Sequence, residues 1–311
     1  SAGGEPAPAP AYKSSLVDRI DYASDTSTAA PKGNLHRKGT AGAATGNANY
    51  GWFSLGDSPS QSTYVTRIDY GNDTATSSPK GPLNVAKKRM GATGNGDYGY
   101  WSSGAPQPIN TKVSRVDYSN DTATAVDKGP MTAGRYALGG LSAQAYGLPS
   151  PSSQTVDKGA DGFIVAGPLG PAFGYLTGSY SPGQSSLKRI EFANDTATTA
   201  VKGSLTAVKG YARGMSSPAY GYLAGGYGPS TPSPGITTID RIDYGNDTAT
   251  ALQKGNLVET TRNGGATGTS SYGYVGGGPG GGSATSRIER IDFSNDTATA
   301  EAKGNLYTAR D

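Results

Sequence analysis

The chain has 311 residues, of which 34% are hydrophobic and 16% are charged, and it contains no cysteine. The net charge of +3 is small and is not gathered into a basic run, which argues against nucleic-acid binding. Disulfides, thiolate metal sites and thiol catalysis are excluded because cysteine is lacking. No apolar run approaches the roughly 20 residues that a membrane-spanning helix needs. The chain begins with serine and shows no signal peptide, so we expect it to be a processed product or an excerpt of a longer polypeptide.

One phrase recurs along the chain. It reads YGNDTATS at Tyr70–Ser77, and its copies contain the aspartates Asp25, Asp73, Asp121, Asp195, Asp247 and Asp296. These aspartates are separated by 48, 48, 74, 52 and 49 residues. A period of about 40–50 residues is typical of the blades of a β-propeller. The long interval contains a degenerate copy, AYGLPSPSSQTVDKG, at Ala145–Gly159.

The unit between residues 86 and 131 predicts four short antiparallel strands. The first two are Met90–Thr93 and Tyr98–Ser102, joined by a turn at Gly94–Asp97, because Gly-Asn-Gly-Asp is a strong turn signal. After a Pro- and Gly-rich connection, KVSRVDY alternates as a third strand, and TATAV returns as the fourth. Four such strands form one propeller blade.

The recurring phrase itself is predicted to be a hairpin corner. In the copy after RVDY, Asn120 and Asp121 suit a tight turn, since both residues tolerate a left-handed backbone and form local hydrogen bonds. The alternative is a calcium site repeated in each blade. The phrase offers a single carboxylate, whereas calcium takes six to eight oxygen ligands.

Each third strand also places an arginine two residues before an acid, as in Arg67/Asp69, Arg189/Glu191 and Arg241/Asp243. Residues two apart lie on the same face of a strand. We predict that these charges form structural ladders between blades. The alternative is a ring of such pairs that lines a channel and holds an acidic ligand.

The arrangement R…ATGN…YGYxxGG…RIDY…DTAT…KGxL resembles the kelch motif, and Tyr220–Gly226 and Tyr272–Gly278 carry its glycines well. The tryptophan usual in the fourth strand is replaced by Ala and Thr. The resemblance implies an all-β, kelch-like β-propeller with four-stranded antiparallel blades. The sequence of the repeat also resembles that of repeat proteins encoded by phages of aquatic bacteria, which are often classed as virion structural proteins. This resemblance implies a role in a tail or fibre.

We predict a single propeller domain over residues 1–311 with seven blades, or six if the degenerate copy is not independent. The predicted blades are 1–35 (partial), 36–83, 84–131, 132–159 (degenerate), 160–205, 206–257 and 258–306.

Catalysis has little support. The single histidine, His36, lies in the polar connection GNLHRKG and is more typical of a solvated loop residue than of a base. The glycine-rich segment Gly276–Ser283 lacks the Lys-Ser/Thr ending of a phosphate-binding loop. We therefore expect no enzymatic activity, no cofactor and no metal site.

The second connection of each blade varies in length and sequence, while the first and third are short and repetitive. Variable loops on one rim of a rigid scaffold are typical of a recognition face, although neutral drift would produce the same pattern. The variable connections are Gly56–Thr63, Gly104–Thr111, Ser179–Ser186, Gly225–Thr238 and Gly276–Thr285.

A second candidate binding site consists of the aromatic residues Trp52, Trp101, Tyr50, Tyr98 and Tyr100, which lie in the second strands of adjacent blades. Exposed aromatic rings stack on sugars or pack at protein interfaces. Burial between blades is the more common fate of such residues.

These patterns favour a non-enzymatic structural and recognition protein, most simply a phage tail or fibre component in the virion. Its expected partners are other virion or extracellular proteins in a multimeric assembly, with a host-surface glycan as a further candidate. The alternative is a secreted or cell-surface carbohydrate-binding propeller. A third interpretation, a glycan hydrolase or lyase, lacks a carboxylate pair that stands apart from the repeat.

Overall fold

The computed structural model describes residues 13–58, 60–102, 104, 110–142, 173–180, 183–227, 235–280 and 283–310. The fold is all-β, with five four-stranded antiparallel blades in a propeller arrangement and one two-stranded sheet. No helix in the described ranges is both long enough and apolar enough to cross a membrane.

The strands follow one another in a simple up-and-down order. The two-stranded sheet contains β1 (Asp18–Arg19) and β2 (Ala30–Pro31). Blade 1 contains β3 (Ala43–Gly46), β4 (Tyr50–Ser54), β5 (Val65–Asp69) and β6 (Ser78–Lys80), and blade 2 contains β7 (Gly91–Gly94), β8 (Tyr98–Ser102), β9 (Val113–Asp117) and β10 (Val126–Lys128). Blade 3 contains β11 (Gly139–Ser142), β12 (Phe173–Thr177), β13 (Ser186–Glu191) and β14 (Ala200–Ser204), and blade 4 contains β15 (Arg213–Ser216), β16 (Tyr220–Ala224), β17 (Thr238–Asp243) and β18 (Leu252–Asn256). Blade 5 contains β19 (Gly265–Gly268), β20 (Tyr272–Gly276), β22 (Ser283–Asp292) and β23 (Glu301–Arg310), and the short β21 (Pro279–Gly280) extends one of its hairpins.

The predicted count of seven blades, or six, is wrong. The inner strand β11 pairs with β12, so that Gly139 lies opposite Thr177 and Ser142 opposite Gly174. Residues predicted as a degenerate blade, 132–159, and as the next blade, 160–205, therefore contribute to a single blade. The long interval between aspartates contains residues 143–172, which stand between the first and second strands of blade 3 in the sequence. These residues, including the degenerate copy at 145–159, lie outside the described ranges.

Each recurring phrase forms the corner between the third and fourth strands, as predicted. In blade 2 the carboxylate of Asp117 accepts a hydrogen bond of 2.9 Å from the backbone N–H of Ser119, which caps a single 3-10 turn. The same turn occurs at Tyr22–Ser24, Tyr70–Asn72, Tyr118–Asn120, Phe192–Asn194, Tyr244–Asn246 and Phe293–Asn295. The acid before the corner caps its own turn in five of the six copies, and Glu191 in blade 3 is the exception. In the described residues, none of these acids forms an ion pair with the arginine two residues before it.

The arginine reaches the next blade instead. Arg115 of blade 2 donates to the carboxylate of Asp195 in blade 3 at 2.8 Å, and Lys128 approaches its other oxygen at 3.0 Å. The hydroxyl of Tyr100 adds a hydrogen bond of 2.8 Å to the same carboxylate. Burial alone would raise the pKa of Asp195, but the hydrogen bonds from Lys128 and Tyr100 and the charge of Arg115 hold that pKa below its usual value.

This arrangement is repeated around the ring. The six Arg/Lys pairs with their corner aspartates are Arg19 and Lys32 with Asp73, Arg67 and Lys80 with Asp121, Arg115 and Lys128 with Asp195, Arg189 and Lys202 with Asp247, Arg241 and Lys254 with Asp296, and Arg290 and Lys303 with Asp25. The last pair joins blade 5 to the two-stranded sheet, so that the ion pairs form a closed circle.

Aromatic stacking accompanies each ion pair at the junctions that lead out of the five blades. The ring of Tyr100 lies 5.2 Å from that of Phe192, the corner aromatic of the following blade. Equivalent stacks join Trp52 to Tyr118, Tyr175 to Tyr244, Tyr222 to Phe293 and Tyr274 to Tyr22. The apolar core is therefore divided among the interfaces between blades, where it excludes water from the ion pairs.

The Lys-Gly pair in or at the end of each fourth strand also has a structural cause. A Cβ atom built on Gly129 would lie 1.8 Å from the carbonyl oxygen of Ala197 in the next blade. That approach tolerates only glycine. The phrase DTAT in one blade and the glycine in the preceding blade are thus required by the same contact.

The first test concerns the corner carboxylate. Removing it in Asp195→Ala leaves Arg115 and Lys128 without their partner in a mostly buried setting, so the free energy of unfolding should fall by about 3 kcal/mol or more. Guanidinium denaturation followed by circular dichroism measures this change.

The matched control is Asp127→Ala. Asp127 also pairs with a lysine, Lys112 at 3.0 Å, but both side chains are about half exposed. Its loss should cost below about 1 kcal/mol. Equal destabilisation in the two variants would contradict the role assigned to the corner carboxylate.

The second test concerns Lys87, which is fully buried in the link between blades 1 and 2. Its Nζ donates to the carbonyl oxygens of Trp101 and Lys112, and burial lowers its pKa to about 7. Between about pH 7 and pH 10, the unfolded chain holds a proton that folded Lys87 has released. The free energy of unfolding should therefore rise with pH in this window, by up to about 1.4 kcal/mol per pH unit.

Lys87→Met should abolish that rise, whereas Lys112→Met, which removes an exposed lysine, should retain it. Denaturation curves recorded from pH 7 to pH 10 give the slope. An unchanged slope in Lys87→Met would show that the buried lysine stays charged.

Candidate functional site

The two faces of the propeller differ in which connections they carry. Isolated bridges join Thr40 to Asp57 and Ser62 to Lys87, which places the links between blades beside the second connections. On the opposite face, the backbone N–H of Tyr118 donates to the carbonyl of Asp97, which joins a corner to a first connection. We call the side of the links and second connections the loop face. The described parts of all five predicted variable connections lie there; residues 59, 105–109, 181–182, 228–234 and 281–282 of these connections are outside the described ranges.

At the inner end of the loop face, one residue just before each inner strand adopts a left-handed backbone. From the second blade onward, the backbone N–H of this residue donates to the carbonyl of the equivalent residue in the preceding blade, over 2.6–3.3 Å. These residues are Ala41, Arg89, Ala137, Tyr211 and Asn263, with φ between 54° and 63°. Such a backbone is uncommon for residues other than glycine and marks positions held by their surroundings. The ladder fixes the backbone of Arg89 and Tyr211 on this face.

Four tyrosines gather beside the ladder. The ring of Tyr180 lies 6.1 Å from Tyr136, 5.7 Å from Tyr211 and 5.5 Å from Tyr227. Tyr136 comes from the link into blade 3, while Tyr180 and Tyr227 come from the second connections of blades 3 and 4. All four are half-buried, so each ring is held in place yet keeps part of its surface in contact with solvent.

Two arginines flank these rings. The guanidinium carbon of Arg262 lies 5.1 Å from the centre of the Tyr227 ring, and that of Arg89 lies 5.8 Å from the centre of the Tyr211 ring. Arg89 is exposed. Burial raises the pKa of Tyr211 even with the positive charge of Arg89 nearby, so its hydroxyl is neutral and able to donate. We call these six residues (Tyr136, Tyr180, Tyr211, Tyr227, Arg89 and Arg262) the tyrosine–arginine cluster.

Held aromatic rings offer flat apolar surface at a small entropic cost, and their hydroxyls supply hydrogen bonds. Guanidinium groups bind carboxylate, sulfate or phosphate groups through paired donors. The cluster is therefore equipped to stack on a sugar ring or a flat side chain and to bind an anionic substituent beside it.

Three of the residues predicted to bind are fully buried between blades: Trp52, Trp101 and Tyr100. The indole nitrogen of Trp52 donates to the corner carboxylate of Asp121 at 3.0 Å, and that of Trp101 donates to the carbonyl of Ala43 at 3.1 Å. Their rings are occupied by the neighbouring blade and present no face to a ligand.

The other two, Tyr50 and Tyr98, are half-buried beneath arginines. The guanidinium of Arg67 lies 4.2 Å from the ring centre of Tyr50, and Arg115 lies at the same distance from Tyr98. Both tyrosines begin a second strand, on the face opposite the loop face. That these five aromatics bind a ligand stays a prediction, and the structure assigns them contacts within the scaffold.

His36 lies in the link before blade 1, where burial and then the charge of Arg37 lower its pKa. The glycine-rich segment contains β21, which pairs with the start of β22. Within the described part of the chain, no three His, Cys, Asp or Glu side chains come together in a way that would hold a metal ion.

Two small cavities lie under corners, one of about 180 Å³ in blade 3 and one of about 90 Å³ in blade 5. Both are below the roughly 300–1,000 Å³ typical of small-molecule sites. Their equivalent positions in two blades identify them as features of the repeat.

The tyrosine–arginine cluster was missed in the sequence because its members lie outside the recurring phrase. One signal was present. The position of Tyr211 holds Ala41, Arg89, Ala137 and Asn263 in the other blades, so a large aromatic residue there departs from the repeat. Which of the residues that depart from the repeat lie close together in space depends on how the blades are arranged, and the sequence does not show that arrangement.

Comparison with known proteins adds no assignment. No protein-family model matches the chain, and no curated protein matches it in sequence.

Proposed function

We propose that this chain is a non-enzymatic structural and recognition module of a phage virion, carried on the tail or fibre, whose loop face meets the target. The observation that carries the proposal is the tyrosine–arginine cluster, a set of held aromatic rings and arginines on the face that also carries the variable connections. The resemblance of the repeat to virion proteins of phages of aquatic bacteria supports the location, and its resemblance to the kelch motif supports a kelch-like scaffold.

The division between the two faces explains how such a module would work. Corners, ion pairs and stacked aromatics constrain the sequence on one side and between the blades. In the described residues, the second connections supply no partner to the corner aspartates, so they can change without loss of those contacts. Several copies on one particle would multiply weak contacts into stable attachment.

The test of the virion role uses intact particles of the phage that encodes the chain. An antibody against the recombinant protein should label the tail or fibre in negative-stain electron microscopy, at positions that follow the symmetry of the tail. Particles that carry no label after this treatment would contradict the proposal.

The orientation can be tested with single introduced thiols, since the chain has no cysteine of its own. Ser60→Cys places a thiol in the second connection of blade 1, and Ala48→Cys places one in the first connection of the same blade; both positions are exposed. A bulky maleimide on the Ser60→Cys variant should block attachment of particles to cells, whereas the same group on the Ala48→Cys variant should not. Equal inhibition from both positions would show that the loop face is not the contact.

The second candidate function is carbohydrate binding outside a virion. The tyrosine–arginine cluster favours this function, because aromatic rings bind the apolar faces of sugars and the two arginines favour anionic glycans.

On an array of neutral and acidic glycans, the recombinant chain should bind acidic members, with affinity that falls as salt is added. Tyr180→Ala and Tyr227→Ala should each weaken binding about tenfold, through the loss of a stacking contact. Tyr307→Ala is the control, since Tyr307 is 60% exposed on the last strand of blade 5. An array without signal would remove this candidate, and equal weakening by all three variants would remove the cluster as the site.

A further inference from the structure

The third strand of each blade has one position, directly before the recurrent arginine, that faces the link from the preceding blade. In blade 4 this position is Asp240, which is fully buried. Its carboxylate accepts hydrogen bonds from the backbone N–H of Thr206 at 3.1 Å and from the Thr206 hydroxyl at 2.7 Å. It also pairs with the buried Lys209 at 3.3 Å. Three donors from the link thus surround one carboxylate.

The equivalent position holds an acid or a neutral hydroxyl in most of the other units. In blade 5 it is Glu289, whose carboxylate accepts a hydrogen bond of 2.6 Å from the backbone of the link. In the two-stranded sheet it is Asp18, which pairs with Arg310. Blades 1 and 2 have Thr66 and Ser114 there, and their hydroxyls form hydrogen bonds with neighbouring polar groups.

Blade 3 departs from this pattern, because its residue at the position is Lys188, which is only 5% exposed. The link still supplies a base, the fully buried Arg135. Its guanidinium donates to the backbone carbonyl of Ser186 at 2.8 Å, to the Ser186 hydroxyl at 2.7 Å and to the side-chain oxygen of Gln184 at 3.3 Å. These three acceptors are neutral. Two cations therefore lie together where blade 4 has a cation and an acid.

The ammonium group of Lys188 forms no hydrogen bond and no ion pair within the described ranges. Burial, and then the charge of Arg135, lower the pKa of Lys188. The second connection of blade 3, residues 179–186, contains no acidic residue. A buried charge is costly when no opposite charge accompanies it, so this pair of cations is suited to receive an anion.

The place that the Asp240 carboxylate fills in blade 4 is reachable from solvent in blade 3. The equivalent of Thr206 there is Thr132, which is exposed. The backbone N–H of Thr132 donates to the hydroxyl of Thr199 at 3.2 Å, which leaves the Thr132 hydroxyl as the donor at this end. A small anion can therefore enter beside Thr132 and reach both cations.

We propose that Arg135, Lys188 and the hydroxyl of Thr132 form a binding site for one oxyanion group, a sulfate, phosphate or carboxylate, at the link between blades 2 and 3. The bound group takes the place of the carboxylate that blade 4 supplies from its own strand. Guanidinium and ammonium groups bind oxyanions through charge-assisted hydrogen bonds. The site adjoins the tyrosine–arginine cluster, because Arg135 directly precedes Tyr136 in the chain. The oxyanion is either a free ion or the acidic substituent of a larger ligand on the loop face.

The probes are inorganic sulfate, phosphate and acetate, titrated into the 311-residue chain by isothermal calorimetry at an ionic strength held constant with sodium chloride. At least one should bind with one-to-one stoichiometry and raise Tm as it saturates the site. Lys188→Ser, which installs the residue type that blade 2 has at this position, should weaken binding about tenfold or more through the loss of a charged donor. The absence of saturable binding by all three ions would overturn the proposal.

Lys188→Asp is the second variant, since it supplies from the chain the carboxylate that blade 4 has. Its Tm without added oxyanion should exceed that of the unchanged chain, and sulfate should raise it no further. The matched control is Lys38→Asp, which makes the same change of charge at an exposed lysine in the link before blade 1. It should keep the affinity within about twofold, because distant exposed charges are screened. Equal loss in the control, or a sulfate effect retained in Lys188→Asp, would overturn the site.

A sulfated monosaccharide, compared with inorganic sulfate, identifies the source of the group. Tighter binding of the sugar that is lost in Tyr136→Ala assigns the site to an acidic glycan, and equal affinity assigns it to a free ion; both results support an oxyanion site. The acids outside the described ranges are Glu5, Asp157, Asp161 and Asp311.

A variant with all four replaced by their amides should bind sulfate as the unchanged chain does. Binding that appears only in this variant would overturn the proposal, since a carboxylate of the chain itself would then occupy the site.

Discussion

The structure depends on one interaction, the capture of each corner aspartate by donors from the neighbouring blade. An arginine, a lysine and, at five of the six junctions, an aromatic hydroxyl or indole converge on a carboxylate that is almost out of contact with solvent. A buried charge is costly unless it is paired and hydrogen-bonded, so the neighbouring blade can dock in only one register. Each blade must supply the donors on one side and the acceptor on the other, and for this reason the same sequence recurs at every corner.

The same constraint explains why the fraction of hydrophobic residues is low for a protein of this size. Hydrophobic residues make up 34% of the chain and glycines number 48. The blades approach closely enough that glycine is required where the backbone of one meets the corner of the next, as at Gly129. Stacked aromatics fill the rest of each interface. Stability is therefore distributed over similar interfaces, each dependent on the presence of its neighbour.

The repeated scaffold contacts and the variable connections are separated in space. The corner face and the interfaces carry residues that the repeat cannot change. The loop face carries connections that no ion pair or stack between corners constrains, and there the ladder of left-handed residues holds Arg89 and Tyr211 in fixed positions. Sequence changes in the second connections therefore leave the contacts to the corner aspartates in place.

The sequence by itself determined the strand order within a blade, the corner and the repeat, because strand alternation and turn chemistry act over a few residues. It also marked Arg115 and Asp121 as recurrent, but not that each arginine reaches the next blade's aspartate, since that contact spans more than fifty residues. The count of blades failed for the same reason. Whether Gly139–Ser142 opens a new blade or completes one depends on pairing with Phe173–Thr177, which lies about thirty residues further along the chain. Only the tertiary structure decided that Trp52, Trp101 and Tyr100 are buried between blades. It also decided that Tyr136, Tyr180, Tyr211 and Tyr227, far apart in the chain, meet on one face. Burial and proximity are properties of the closed ring, and no local pattern encodes them.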